Sequence, residues 1–372
     1  MGFTLEEARA QAKEKLKWFC MVYKDCDGDP SRFCQGQHYG RPLGIGGIGS
    51  GASFHNNWLA LRRIHLRAGL VRPHETVDTS FDFFGHTLTS PVMAASVSGI
   101  HSFGGEDAIT EKEFCRAVVL GCRDAGTVGW RGDTFTYTFN NTPCIDAIAE
   151  AQGHGVKIIK PRSQEDIEGF IRLAESAGAL AVGVDIDGCA SFRMNSHGTP
   201  VFRKSRDELA HLAAATKLPF IIKGIMNVRD AEEAVRAGAA AIVVSNHGGR
   251  VLDHTPGTAD VLPEIVSALK GTSCSVYVDG GVRTGYDVLK MLALGARGVL
   301  VGRDVIRAAV GAGSEGVRLQ MEYLQKTLAG AMLATGVSKL SEIGPECLDV
   351  SASVGVTADR IAGGMTNGGR HQ

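Results

Sequence analysis

The chain has 372 residues, and 39 Lys and Arg against 40 Asp and Glu give it a formal net charge of −1 at pH 7. It is 44% hydrophobic and 21% charged, which is typical of a folded globular protein rather than a disordered or fibrous one. A near-neutral chain lacks the basic excess that binds nucleic acid or an anionic membrane surface, so we expect neither as a partner. Apolar runs such as 237–244 are far shorter than the roughly 18 residues that span a membrane.

The N-terminus and the cysteines predict a cytoplasmic protein. Residues 1–19 are charged and helical in pattern, without the apolar core of a secretory signal or the Ser/Thr of a myristoylation signal. Nine cysteines are an odd number for a secreted disulfide framework. Cys20, Cys26 and Cys34 cluster, but their spacing matches neither a zinc motif nor an iron–sulfur motif, so we expect no metal site there.

Short apolar runs alternate with helical patterns along most of the chain. Helices are predicted first at 4–18 and 57–66. The predicted strands are 91–95, 127–130, 156–160, 180–185, 219–223, 240–245, 275–280 and 298–302. The predicted helices between and after them are 111–125, 164–177, 206–215, 228–237, 258–269, 284–294 and 315–334.

Eight strand–helix units, with strands that are apolar throughout, predict a parallel α/β sheet covered by helices. Eight is the number that closes a (β/α)8 barrel, the TIM-barrel fold. The alternative, a doubly wound open sheet, needs a phosphate-binding glycine fingerprint after its first strand, and SVSGIHSFGG is not one. The predicted organisation is a helical and Gly-rich extension at 1–90, the barrel with its C-terminal helix at 91–345, and a tail at 346–372.

Polar residues follow the strands at the end where such barrels carry out chemistry. In chain order they are Asp185, Lys223, His247, Arg250, Asp279, Gly280, Gly281, Arg283, Gly302 and Arg303. The glycines together with Arg283 and Arg303 predict a phosphate site. Glycine lets backbone N–H groups approach a phosphate closely, and the arginine guanidinium groups donate charged hydrogen bonds to its oxygens.

The turn after the sixth strand is the most specific signal. His247 beside Arg250 predicts a base next to an anion-binding group, although a lone histidine there would more often be a hydrogen-bonded core residue. Lys223 at the end of the fifth strand needs an acceptor or an anionic partner if it is buried.

Two segments carry a family resemblance: SNHGGRVLDHTPGT and VDGGVRTGYDVLKMLALGARGVLVGR. They resemble the FMN-dependent α-hydroxy-acid dehydrogenase/oxidase family, which includes glycolate and lactate oxidases. The similarity is specific from about 219 to 343 and traceable from 21–23 through 180–185. The resemblance implies FMN as cofactor and a homotetramer or larger assembly, and it leaves oxygen or a diffusible carrier open as the electron acceptor.

The resemblance also implies a role for each matching residue. His247 resembles the catalytic base, Asp185 the aspartate that pairs with it, Arg250 the group that binds the substrate carboxylate, and Lys223 the lysine at the flavin N1/O2 edge. The residues implied to bind FMN are Ala94, Ala95, Ser96, Lys223, Ser245, Asp279, Gly280, Gly281, Arg283, Gly302 and Arg303. The implied reaction oxidises a small 2-hydroxy carboxylate to the 2-oxo acid, with a proton taken by His247 and a hydride equivalent passed to flavin N5.

The substrate side departs from the family pattern. The family's two active-site tyrosines are missing: Asp25 stands in the first place, and 156–160 holds no tyrosine for the second. Arg193 is one residue out of register with a family arginine, and the loop from 185 to 204 lacks the insertion that forms a lid in glycolate-oxidising members. We therefore predict that Lys160 and Arg193 contact the substrate, with Trp130 and Arg131 as further candidates.

Two alternative hypotheses for the function also fit the sequence. One is an FMN enzyme that uses NAD(P)H or an unsaturated substrate, and the other is a barrel that binds a phosphorylated ligand without redox chemistry. The segment LGIGGIGSG at 43–51 has the spacing of a dinucleotide fingerprint, but it follows no strand, so a mobile or tightly turning segment near the barrel mouth is the favoured interpretation.

Overall fold

The computed structural model describes residues 3–16, 46–102 and 108–349. Cys20, Cys26, Cys34, Asp25 and the tail from 350 onward lie outside the described residues. The elements that precede the barrel are α1 (Leu5–Lys15), α2 (Ala52–Arg62), β1 (His65–Leu66), β2 (Phe81–Phe83) and β3 (His86–Leu88).

Eight parallel strands form a closed barrel, in which each strand pairs with the next along the chain and the last pairs with the first. They are β4 (Val92–Ala94), β5 (Gly129–Arg131), β6 (Gly155–Ile159), β7 (Ala181–Asp185), β8 (Phe220–Ile225), β9 (Ala241–Val244), β10 (Ser275–Val278) and β11 (Gly298–Val301). The (β/α)8 prediction is therefore confirmed. A final strand, β12 (Leu348–Asp349), pairs with β1.

Helices cover the outside of the barrel, apart from the short helix at Phe192–Ser196, which lies at the barrel mouth. They are α3 (Glu111–Asp124), α4 (Pro143–Glu150), α5 (Gln164–Ser176), α6 (Phe192–Ser196), α7 (Arg206–Ala214), α8 (Val228–Arg236), α9 (Thr258–Ala268), α10 (Gly285–Ala293) and α11 (Arg303–Thr335). Side-chain caps set several starts: Thr110, Ser205 and Thr284 each accept a hydrogen bond from the third helical N–H of their helix. Across the described ranges, no helix combines the length and apolar character that a membrane crossing requires.

The core has two layers. One lies between the strands and the helices, and the other fills the barrel interior. The β2–β3 hairpin closes the barrel at the end opposite its mouth, because the Phe83 ring lies 6.0 Å from Trp130 and 5.9 Å from Tyr277. With that end packed by aromatic rings, the cavity is confined to the C-terminal ends of the strands.

Some predicted boundaries were wrong. The helix placed at 57–66 begins at Ala52 because Gly51, with φ of 77°, turns the chain into it, and it ends at Arg62. Lys223 does not end its strand: β8 continues to Ile225 across an irregularity at Gly224. The helix placed at 315–334 is the second part of α11, which is kinked where Ala312 and Gly313 leave helical geometry.

Gly285 offers a test of the packing between α10 and α11. A Cβ at Gly285 would overlap the backbone of Thr327 and Leu328, which cannot move away without shifting α11. We expect Gly285→Ala to lower the free energy of unfolding by about 1–3 kcal/mol. The control is Gly330→Ala in α11, where a Cβ meets nothing within 4 Å and should stabilise the helix by about 0.5–1 kcal/mol. Urea unfolding of both variants measures the difference, and equal stabilities would contradict this packing.

Candidate functional site

The carboxyl ends of the barrel strands surround a cavity of about 230 Å³. Fourteen of the predicted residues line it: Ala95, Ser96, Lys160, Asp185, Arg193, Lys223, His247, Arg250, Asp279, Gly280, Gly281, Arg283, Gly302 and Arg303. Ala94 and Ser245 do not line it. Ala94 is buried in β4, and Ser245 lies behind the wall, where its hydroxyl donates to Asp279 Oδ2 over 2.9 Å.

The turn that carries His247 is tightly fixed. His247 and Gly248 adopt left-handed backbone conformations, with φ of 56° and 61°. The His247 N–H donates to Ser245 Oγ over 3.1 Å, and the Asn246 side chain accepts from the Gly249 N–H over 3.2 Å. These local hydrogen bonds hold the backbone of the turn, so the imidazole has a defined position over the barrel.

The His247 ring lies between acids on one side and a lysine on the other. Its Nδ1 is 3.0 Å from Asp187 Oδ1 and 3.3 Å from Asp185 Oδ2, and its Nε2 is 3.3 Å from Lys160 Nζ. Carboxylates only accept and an ammonium only donates, so these partners favour the tautomer with hydrogen on Nδ1 and a lone pair on Nε2. That tautomer is the one a base needs at Nε2.

Asp185 is the centre of a buried charge network. Its Oδ2 accepts from Lys160 Nζ over 2.7 Å, and its Oδ1 accepts from Lys223 Nζ over 3.0 Å. Burial by itself raises the pKa of Asp185, but the positive charges of His247, Lys160 and Lys223 outweigh it and hold that pKa well below its usual value. Asp185 is therefore ionised throughout the neutral range.

Lys223 is also charged although its side chain is only 5% exposed. Burial lowers its pKa, but Asp185, Asp187 and Asp279 outweigh this effect and raise the pKa above its usual value. The sequence expectation that a buried Lys223 needs an anionic partner is thus met by Asp185. Its ammonium lies 3.9 Å from Asp279 Oδ2 as well.

Asp279 has one oxygen without a partner. Its Oδ2 accepts from Ser245, whereas its Oδ1 is buried and makes no hydrogen bond. Burial raises the pKa of Asp279, and Lys223 and Ser245 offset this only in part. The Ser96 hydroxyl is likewise buried without a partner. Buried polar atoms of this kind are rare unless they face a ligand or water.

The ends of β10 and β11 form the cationic part of the cavity. Gly280 and Gly281 have φ of 109° and 77°, and a Cβ at either would lie about 2.8 Å from Asn57 atoms, so both positions require glycine. Arg283 Nε is 3.4 Å from Asp304 Oδ2, and Arg303 donates to the Gly248 carbonyl over 2.7 Å. Left-handed glycines and two guanidinium groups in one wall suit a phosphate.

These residues fit flavin mononucleotide, the cofactor implied by the resemblance. Gly280, Gly281, Arg283 and Arg303 would hold its phosphate, and Lys223 would supply a positive charge from its buried position. The unpartnered Ser96 and Asp279 oxygens would face it as further hydrogen-bonding groups.

The glycine-rich segment before α2 packs against this wall. The Gly46 carbonyl accepts from Arg250 and from Arg303, each over 3.3 Å, and the Ile48 N–H donates to the Gly249 carbonyl over 2.8 Å. Gly49 is left-handed with φ of 60°. The described part of the segment, from residue 46, therefore turns tightly at the barrel mouth; Gly44 lies outside the described residues.

The substrate candidates differ in where they lie. Lys160 and Arg193 line the cavity, and the Arg193 guanidinium stacks 5.4 Å from the centre of the Phe135 ring. The suggestion that Trp130 and Arg131 contact the substrate was wrong, because both are fully buried. Trp130 packs inside the barrel against Phe83 and Tyr277, and Arg131 points outward over the Phe114 ring.

Sequence reasoning missed Asp187, which lies just behind His247. The available signal was the repeat Asp185-Ile186-Asp187, in which the second acid follows the strand by two residues. Within a short 3-10 helix at Ile186–Ala190, that spacing brings the second carboxylate back to the same imidazole.

Comparison with known proteins identifies the family. The family model described as FMN-dependent dehydrogenase matches residues 44–197 and 190–350. The 4-hydroxymandelate oxidase of Amycolatopsis orientalis is 33% identical over 328 residues, which cover 78% of this chain and 88% of that protein. Glycolate oxidase 1 of Oryza sativa subsp. indica is 42% identical over 343 residues, covering 82% and 87%. A crystal structure of a mandelate oxidase variant with 2-hydroxy-phenylacetamide is 30% identical, with a TM-score of 0.74 and coverage of 93% and 97%.

Proposed function

Because this chain belongs to the FMN-dependent dehydrogenase family and is an FMN-dependent oxidoreductase, we propose that it oxidises a small 2-hydroxy carboxylate to the 2-oxo acid. The observation that carries the proposal is the environment of His247. Its Nδ1 lies against two carboxylates, while its Nε2 lies 3.3 Å from Lys160 Nζ, and both His247 and Lys160 line the cavity. A neutral imidazole in this setting can take a proton at Nε2 and has anions in place to balance the resulting charge.

The cations around His247 provide the substrate contacts. Arg250 lines the cavity beside the base, and its planar fork suits the substrate carboxylate. Lys160 binds the substrate hydroxyl: a hydroxyl that replaces the direct 3.3 Å contact between Lys160 Nζ and His247 Nε2 accepts from the lysine and donates to the imidazole. Arg193 is a further cation at the cavity for an anionic substrate.

The electrons and protons of the oxidation balance. The substrate gives up two electrons and two protons, and one of those protons moves to His247 Nε2. Bound FMN would supply the acceptor for the two electrons and the other proton. Asp185 stabilises the imidazolium and keeps Lys160 and Lys223 in place through its two oxygens.

An anaerobic titration tests the proposal. The purified protein, loaded with FMN, is titrated with glycolate, lactate and mandelate and, separately, with NADH, while the flavin band near ~450 nm is followed. We expect at least one hydroxy acid to bleach the band and NADH to leave it unchanged. Lactamide is the matched control for lactate: it lacks the charge that Arg250 binds and should bleach the band at least about 100-fold less efficiently.

Two outcomes would contradict the proposal. Bleaching by NADH alone would favour an FMN enzyme that acts on NAD(P)H or an unsaturated substrate. A protein that stays colourless after incubation with FMN would favour a barrel that binds a phosphorylated ligand without redox chemistry.

We also propose oxygen or a diffusible carrier as the electron acceptor, and a homo-oligomer in the cytoplasm as the working form. The resemblance supports the assembly. The six cysteines that the structure describes all carry free thiols, which agrees with a reducing compartment.

A further inference from the structure

We propose that Asp187 is the residue that holds His247 Nδ1 in its orientation and that it stabilises the imidazolium together with Asp185, which is at the same time the counter-ion of Lys160 and Lys223. This inference rests on the proposed function, because it gives His247 the role of base. Asp187 does not line the cavity, so it is a positioning residue that acts through the imidazole.

The distribution of hydrogen bonds separates the two carboxylates. Asp187 Oδ1 is 3.0 Å from His247 Nδ1, whereas the nearest Asp185 oxygen is 3.3 Å away and already accepts from Lys160 over 2.7 Å. The other Asp185 oxygen accepts from Lys223. Asp187 Oδ2 is buried without a hydrogen-bond partner. Within the described part of the chain, the His247 imidazole is therefore the hydrogen-bond partner of the Asp187 carboxylate.

The backbone provides a space for this second carboxylate. Gly224 has φ of 99° and lies at the irregularity where β8 shifts its register against β9. A Cβ at Gly224 would lie 2.8 Å from both Cβ and Cγ of Asp187 and 2.9 Å from its backbone nitrogen. The glycine therefore allows the Asp187 side chain to pack directly against β8, with its carboxylate toward His247.

Charge explains why a second acid is useful here. The charged groups that surround His247 from the neighbouring strands and loops are Asp185, Asp187, Lys160, Lys223, Arg250, Asp279 and Arg303. Two lysines already neutralise much of Asp185. When His247 gains a proton beside Lys160, Asp187 is the nearby anion that no lysine contacts within hydrogen-bond distance in the described ranges.

Asp187→Asn tests the role, with Asp185→Asn as the matched comparison and Asp187→Glu as the conservative variant. The FMN-loaded proteins are assayed with whichever of glycolate, lactate and mandelate bleaches the wild-type flavin. For Asp187→Asn we expect kcat to fall by about 10–100-fold with KM nearly constant. The acidic limb of the kcat/KM profile should move to lower pH by about one unit, because losing the carboxylate disfavours the protonated imidazole. Asp187→Glu should recover part of the rate.

Two further measurements distinguish a positioning role from a purely structural one. FMN affinity, measured by quenching of flavin fluorescence, should stay within about 2-fold for Asp187→Asn and weaken for Asp185→Asn, because only the latter deprives Lys223 of its anion. Nitrogen-15 NMR of the histidine rings should find hydrogen on His247 Nδ1 in the wild type and a shift toward Nε2 in Asp187→Asn, since an amide can donate to Nδ1.

An unchanged tautomer and pH profile in Asp187→Asn, with both altered in Asp185→Asn, would assign the role to Asp185 and overturn the inference. If no hydroxy acid reduces the wild-type protein, the proposed function fails, and the NMR comparison still decides whether Asp187 holds the imidazole.

Discussion

Replacing His247 with asparagine is expected to lower the rate of flavin reduction by a 2-hydroxy acid by about 10²–10⁴-fold, the usual range for loss of a general base. Asparagine is chosen because the His247 backbone is left-handed, with φ of 56°, a conformation that asparagine tolerates better than most residues. Asn cannot accept a proton at neutral pH, so the loss should appear in kcat and in kcat/KM alike. Stopped-flow spectrophotometry under anaerobic conditions measures it.

The same chain contains a matched control in His254. That residue is also left-handed, with φ of 59°, but its side chain is 78% exposed and lies outside the lining of the cavity. His254→Asn should leave flavin reduction unchanged. It therefore shows that replacing a left-handed histidine with asparagine does not by itself slow the reaction. Both variants should still bind FMN, because neither substitution removes Lys223, Arg283 or Arg303. Wild-type rates in His247→Asn would exclude this residue as the base.

The eight barrel strands could be predicted because parallel strands covered on both sides are short, apolar and separated by helices with recognisable ends. Each of the eight predicted runs overlaps one strand of the barrel, and each strand lies within two residues of its run. The β2–β3 hairpin escaped prediction because its strands have three residues each, too few to display a period. The short α6 was missed for the same reason, since five residues make little more than one helical turn.

Site residues were predictable where they stand directly at strand ends. Lys160 continues the inward-facing series of Val156 and Ile158, and so it reaches the cavity. Trp130 shows the limit of that reasoning: it faces inward, but it lies low enough in the barrel to pack against Phe83 and Tyr277 instead of the cavity. Arg131, the next residue, must face outward because strand side chains alternate.

Asp187 could not be assigned from its position, because it lies beyond the strand in a segment whose turn the sequence does not specify. The repeat Asp185-Ile186-Asp187 would place the two acids on the same face of a strand, well separated along it. Instead the chain leaves β7 at Asp185 and enters a 3-10 helix, so both carboxylates come within 3.3 Å of one nitrogen. Contacts that depend on a change of backbone conformation are the ones that periodicity does not predict.

Replacing Lys223 with methionine is expected to lower the free energy of unfolding by about 3–5 kcal/mol, the usual cost of removing one member of a buried ion pair. The Lys223 and Asp185 side chains are 5% and 6% exposed, so water cannot solvate the carboxylate that is left. Lys160 still contacts Asp185 through its other oxygen, which places the expected loss toward the lower end of that range. Urea unfolding at pH 7, with and without saturating FMN, measures the change.

The pH range of this effect follows from the two shifted groups. Burial raises the pKa of Asp185, but the cations around it outweigh burial and depress that pKa. The ionised Asp185 therefore contributes its full share of the folding stability above the unfolded pKa of about 4, and this share is lost as the pH falls through the folded pKa. Burial lowers the pKa of Lys223, but the acids around it outweigh burial and raise that pKa. The charged Lys223 therefore contributes its full share of the folding stability below the unfolded pKa of about 10.4, and this share is lost as the pH rises through the folded pKa. The stability gap between wild type and Lys223→Met should therefore stay constant from about pH 5 to about pH 10 and shrink outside it.

The double variant Asp185→Asn/Lys223→Met separates charge from packing. If the single variant is destabilised because it leaves an uncompensated buried carboxylate, removing that carboxylate as well should recover at least half of the lost stability. Catalysis should not recover, because the lysine charge is absent from the cavity in both variants. A double variant that is less stable than Lys223→Met would instead mean that Asp185 stabilises the fold through Lys160 and His247 even without Lys223. In that case the Asp185–Lys223 pair would not be the main contribution of Asp185 to the free energy of unfolding.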